Sequence, residues 1–111
     1  MNLSYGNSAQ NEIKAQNYAC TAIPFEIGKL MLTSGVSHHL RNNIGASLDI
    51  YIHRHKNGDW GEVSLADRAL NDKATRNEER IMSVYTICGE KVWIITEADR
   101  TLTTVLFPIE Y

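Results

Sequence analysis

Glu97-Ala98-Asp99-Arg100 puts two carboxylates and a guanidinium into one short connection, and Glu79-Arg80 stand just ahead of a strand-forming run. A carboxylate can move a proton and a guanidinium can hold an anion, so Glu79, Arg80, Glu97, Asp99 and Arg100 are the candidate catalytic set for an enzyme acting on a phosphodiester. The plainer expectation is a polar turn, with Asp99 bonding local amides and Arg100 paired to a carboxylate. Gly58-Asp59-Trp60-Gly61 is the second unusual stretch, a large indole between glycines. An exposed Trp60 would anchor a partner. Folded inward, it would close the core, with Asp59 capping the next turn, and this inward position is expected. Should the protein work by contact with another protein, Asp59, Trp60, Glu97, Asp99 and Arg100 are the residues that would carry the contact.

The 4 histidines fall into two clusters, His38-His39 and His53-Arg54-His55-Lys56. Residues two apart on a helix point in different directions, so His53 and His55 do not chelate together, and no metal site is expected. His38, Arg41, His53, Arg54 and Lys56 instead make a local basic patch that could meet RNA or phosphate. The formal net charge of −2 argues against wholesale binding to duplex nucleic acid. No nucleophile elbow, P-loop or glycine-rich nucleotide signature is present, so no cofactor is expected. Cys20 and Cys88 are far apart and lack a CxxC partner, which suits reduced thiols in a cytoplasmic protein. No apolar run approaches the ~20 residues of a membrane span, and the polar start has no secretory h-region.

The elements that must position these residues centre on the last third of the chain. Ile81–Cys88, Lys91–Thr96 and Thr101–Phe107 are short, rich in Val, Ile, Thr and aromatics, and bounded by turn residues. They predict a three-stranded antiparallel meander, with Gly89-Glu90 as a tight hairpin and Pro108 at a strand end. The middle strand is apolar on both faces, which predicts a central place in the sheet. The threonines of the third run could face water. Leu30–Thr33 could add a fourth strand, and an edge there or near Pro108–Tyr111 could pair with a copy of itself. Ser34 or Ser37 would cap a short helix through His38–Arg41. A second helix is expected over roughly Ile44 to Lys56, with Ile44, Leu48, Tyr51, Ile52 and His55 as its stripe. Ser64 would cap a third helix whose inner face is Ala66, Leu70 and Ala74. Residues 1–22 are too polar to define a face and read as a flexible tail with one helical turn near Asn11–Tyr18; residues 23–111 form a single domain.

Gly58-Asp59-Trp60-Gly61, Asp67, Asn71, Arg80–Tyr85 and above all Trp93-Ile94-Ile95-Thr96-Glu97-Ala98-Asp99-Arg100-x-x-Thr103-Thr104-Val105-Leu106-x-Pro108-x-x-Tyr111 carry a resemblance. From Phe25 to Tyr111 the chain resembles a group of small bacterial proteins from plasmids, integrative elements and integron cassettes. That resemblance implies a genetic setting and no defined chemistry. Helices followed by a meander, with Glu78-Glu79-Arg80 entering the first strand, are also similar in outline to barnase-like ribonucleases. Those use a histidine acid, and this sheet region holds none. The expected architecture is thus α+β, three helices packed on a small antiparallel sheet. The expected function is that of a non-enzymatic accessory protein of a mobile element, acting through a protein partner or as a homodimer. A nuclease or an RNA-binding module is the alternative.

Overall fold

The computed structural model describes residues 18–111. In chain order these form β1 (Lys29–Leu32), α1 (Ser34–Asn42), α2 (Asp49–Lys56), α3 (Leu65–Asn77), β2 (Ile81–Ile87), β3 (Glu90–Thr96), β4 (Leu102–Leu106) and a 3-10 turn, Pro108–Glu110. The architecture is α+β. Residues 1–17 of the expected tail, and most of the helical turn expected within it, lie outside the described residues.

The sheet order is β1-β4-β3-β2. β2 and β3 pair antiparallel from Ile81↔Thr96 to Ile87↔Glu90. β3 and β4 do so from Trp93↔Leu106 to Thr96↔Thr103. β1, however, runs parallel to β4, from Lys29↔Leu102 to Leu32↔Val105. The sheet is therefore mixed, which corrects the expected antiparallel one. The cause lies at the start of β1. Gly28 has a φ of +61° and packs so close to the Arg100 and Thr101 carbonyls that no Cβ fits there. This close approach sets Lys29 beside the start of β4, and its amide donates to the Thr101 carbonyl at 2.9 Å.

The face of the sheet bearing Tyr85, Ile87, Val92, Ile94 and Val105 forms the main core with Val36 of α1; Leu40, Tyr51 and Ile52 close over it. A second cluster joins Trp60, Ala74 and Ile81. Neither cluster includes a side chain from the opposite face, which carries Met82, Val84, Trp93, Ile95, Thr104 and Leu106. There the C-terminal turn folds back, and the Tyr111 ring meets Trp93 edge-on at 5.4 Å.

Two of the expected helix starts move, and a side-chain cap accounts for one of them, that of α1; α2 has none. Thr33, not Ser34 or Ser37, caps α1, its hydroxyl accepting the Val36 amide at 3.2 Å. α2 starts at Asp49 rather than Ile44, and Ile44 is fully exposed. Ser64 does cap α3, accepting the Asp67 amide at 3.1 Å.

The expected inner face of α3 holds at Ala74 and fails at Ala66 and Leu70. Leu70 is 60% exposed and Ala66 is also exposed, whereas Asn71, Asp72, Ala74 and Thr75 are buried. The reason is the outer edge of β2, whose main-chain groups need partners once α3 covers them. The Asn71 carboxamide supplies both, donating to the Met82 carbonyl at 2.8 Å and accepting the Met82 amide at 3.2 Å. Asn71→Ala is therefore expected to cost about 1–3 kcal/mol in urea unfolding, because it orphans two shielded main-chain groups. Leu70→Asp, on the exposed side of the same helix, should change stability by about 0.5 kcal/mol or less. Equal effects would show that the helix packs through the other face.

Candidate functional site

The five candidate catalytic residues do gather near the β3–β4 turn, but the structure occupies them. Arg100, at a φ of +62°, points back across the turn. Its Nη1 donates to the carbonyls of Glu79 (2.7 Å), Glu97 (3.1 Å) and Ala98 (3.3 Å), and its Nη2 donates to that of Ala74 (2.8 Å). The Ala74 carbonyl also accepts the Glu79 amide at 3.0 Å and that of Glu97 accepts the Arg100 amide at 2.9 Å, so the guanidinium adds a further donor to these groups and ties the end of α3 to the β3–β4 turn. Its expected carboxylate partner is replaced by main-chain oxygens. Asp99 accepts the Thr101 hydroxyl at 2.6 Å and amide at 3.0 Å, and these two bonds hold it below the usual carboxylate range. Arg80 is shared between Glu97, at 3.5 Å, and the Tyr111 hydroxyl, at 2.6 Å. Glu79 contributes its carbonyl. A phosphate would compete at Arg100 with four main-chain carbonyls, whereas Arg80 stays exposed beside Glu97.

Trp60 is buried, and its indole N–H donates to Asp72 at 2.8 Å. It closes the core and cannot serve as an exposed anchor. Asp59 pairs with Arg54 through two bonds, of 2.7 and 3.2 Å, and the guanidinium draws its carboxyl below the ordinary range. Of the proposed basic patch, Arg54 is thereby neutralised and lies 4.8 Å over the Tyr85 ring. His38 bonds Asn42 at 2.9 Å. Arg41, His53 and Lys56 are exposed. Among the described residues no group of three or more His, Cys, Asp or Glu side chains could hold a metal.

Two buried polar networks were not anticipated. His55 is fully buried, with Phe25 and Trp60 set edge-on against it at 5.5 and 5.9 Å. Its Nδ1 lies 2.6 Å from the Ser83 hydroxyl and its Nε2 lies 2.8 Å from that of Thr96. Thr96 lies 2.7 Å from the Thr103 hydroxyl, which donates to the Ile27 carbonyl at 2.7 Å. That last acceptor fixes the direction of the whole chain. Thr103 must donate to the carbonyl, so it accepts from Thr96, and Thr96 in turn accepts from Nε2–H, which fixes Nε2 as the protonated nitrogen. Burial favours the neutral ring, in which Nδ1 accepts from Ser83. Burial, then the Arg100 charge, push its pKa down to about 4. Thr96 and Thr103 are not water-facing but sit at the centre of the protein. The signal lay in the period-two pattern, which puts one hydroxyl residue from each of β2, β3 and β4 on a single face.

Asp72 organises the second network. It accepts the Trp60 indole, the Tyr18 hydroxyl at 2.8 Å and the Thr21 amide at 3.0 Å. Burial pushes its carboxyl up, but these donors outweigh burial and hold it low. Tyr18 and Thr21 are thereby strapped to α3. Beside this strap is a cleft of about 390 Å³, lined by Ile23, Pro24, Phe25, Arg76, Glu78 and Arg100. Its Arg76 guanidinium is bonded to the Thr21 and Asp72 carbonyls, at 2.8 and 3.3 Å.

The two edges of the sheet are treated differently. The edge of β2 is filled: the Val84 amide donates to the Trp60 carbonyl at 3.0 Å, the Glu62 amide donates to the Val84 carbonyl at 2.7 Å, and Asn71 serves Met82. Gly61, at a φ of +75°, lets this strand-like segment lie against Val84. Along β1, the Lys29 amide donates to Thr101 and the Thr33 amide donates to Val105. In a parallel ladder, alternate residues face the same neighbour, so the main-chain groups of Leu30 and Leu32 point outward. Among the described residues nothing bonds them. Leu30 is 38% and Met31 41% exposed. The sequence offered this segment as a possible fourth strand and as one of two candidate edges for pairing with a second copy.

No family model matches the chain, and neither the curated proteins nor the solved structures give a match.

The His55 network has a pH signature. Its folded pKa lies below the unfolded value, so the unfolded state binds more protons between about pH 6.5 and pH 4. Stability is therefore full above that window and falls as pH drops through it, by about 3 kcal/mol. Urea unfolding of the wild type should show this slope, and His55→Gln should lose most of it. A flat profile in the wild type would contradict a buried neutral His55.

Proposed function

We propose that the protein is a non-enzymatic accessory factor that works by binding another polypeptide along β1. The observation that carries this reading is the outward amide and carbonyl pair of Leu30 and Leu32, flanked by exposed Leu30 and Met31 side chains. An open edge of this kind accepts an added strand. The setting in a mobile genetic element rests on the C-terminal motif from Trp93 to Tyr111. The same reading puts the protein in the cytoplasm, where two exposed free thiols, Cys20 and Cys88, stay reduced. No described helix is long and apolar enough to cross a membrane.

The choice between this reading and a nuclease turns on Arg100. As Arg100 donates to main-chain carbonyls, Arg100→Ala should destabilise the fold by about 2–3 kcal/mol in thermal or urea unfolding. An unchanged melt together with loss of a phosphodiesterase activity would return the turn to catalysis. The binding reading is tested by affinity capture with the tagged full chain from cells carrying the element. A protein partner is expected that Met31→Asp loses while the circular dichroism spectrum stays that of the wild type. Capture unaffected by Met31→Asp would move the contact away from β1.

A further inference from the structure

We infer that the strand added to β1 is β1 of a second copy, paired antiparallel about a two-fold axis at Met31; this deepens the reading of β1 as the docking edge and rests on it. The extended run is short and sharply bounded. Gly28, with its φ of +61°, ends it on one side, and α1 begins at Ser34 on the other. Thr33 is still extended, with φ and ψ of −66° and 159°. The midpoint of Lys29–Thr33 is Met31.

Pairing about that midpoint sets Leu30 opposite Leu32 of the second copy, and Leu32 opposite Leu30. These are the residues whose main-chain groups face outward. Each pair exchanges two hydrogen bonds, so every outward group of the strand between Leu30 and Leu32 is satisfied. Met31 then meets its counterpart in the closer, non-hydrogen-bonded kind of pair, with Cα atoms about 4.5 Å apart. Its side chain lies on the face away from the helical core, in register with Thr104. Centring on Leu30 instead would place Gly28 and its left-handed backbone in the ladder. Centring on Leu32 would draw in the first turn of α1. Only the Met31 register uses the whole extended run.

Charge also fits. Lysine on an edge strand normally discourages pairing. In this register Lys29 faces not another lysine but Thr33 of the second copy. The Thr33 hydroxyl donates to the Glu110 carboxylate at 2.7 Å, which also accepts the Phe107 amide at 2.8 Å. The Phe107 and Thr33 bonds hold that carboxylate below its ordinary range, so each Lys29 arrives beside an anion. The run Leu30-Met31-Leu32 reads the same in both directions, and a two-fold axis therefore brings like aliphatic surface to like on both faces.

The test is the oligomeric state of the full chain. Light scattering over a rising concentration series should show a monomer–dimer equilibrium. Leu30→Pro removes an outward donor and leaves the β1–β4 ladder intact, so it should weaken dimerisation by about 10- to 100-fold with an unchanged circular dichroism spectrum. Met31→Asp, which sets two carboxylates face to face, should abolish it. In a Cys20→Ser, Cys88→Ser background, Met31→Cys should oxidise in air to a covalent dimer. A dimer that survives both Leu30→Pro and Met31→Asp overturns the inference. So does a wild type that stays monomeric, with no covalent dimer from Met31→Cys. If that monomer captures a different protein in a Met31-dependent way, self-pairing fails and β1 remains the docking edge. Without such capture, both fail together.

Discussion

His55 joins α2 to three strands at once. The ring is sealed from water and both of its nitrogens are used, one by Ser83 of β2 and one by Thr96 of β3. Through Thr103 the same line of hydroxyls reaches β4 and ends on the Ile27 carbonyl, just ahead of β1. Each member has one proton to give and one lone pair to offer in the right direction, so no link can reverse without leaving a buried group unpaired. An apolar core tolerates sliding and repacking. This line does not, because a shift of one residue in any strand would put a hydroxyl on the wrong face. The position of α2, and with it Trp60 and the segment that fills the edge of β2, follows from that constraint.

The same economy recurs at the surface-facing layers. Asn71, Asp72 and Arg100 each look like solvent-facing polar residues and each instead serves main-chain or indole groups that packing has removed from water. Buried polarity here sets geometry. His55 is sealed from solvent, and hydroxyls occupy both of its ring nitrogens. The charged turn beside it spends its arginine on the end of a helix.

The strands, the central place of β3 and the cap of α3 could be read from local pattern, since β-branched runs, period-two alternation and a Ser-x-x-Asp spacing are local properties. What escaped was decided by distant partners. Thr96 and Thr103 carry the same side chain as an exposed strand threonine, and only the imidazole arriving from α2 makes them interior. Leu70 satisfies a helical stripe, yet Asn71 faces inward because β2 offers it two main-chain groups. The parallel direction of β1 depends on Gly28 fitting against Thr101, a contact between opposite ends of the described chain. The β1 edge was legible as a strand able to pair with a second copy but without a direction, and its place in the sheet depends on the order of the strands.

That parallel strand also divides the protein in time. β2, β3 and β4 are neighbours in sequence as well as in space, joined by tight turns, so their contacts form with little loop closure. β1 pairs only with β4, and Lys29 must find Leu102 across nearly the whole described chain. The entropy of that closure falls on a strand of 4 residues, which has the least to offer in return. β1 should accordingly be the last part of the sheet to assemble and the first to release, with amides that exchange ahead of those of β3.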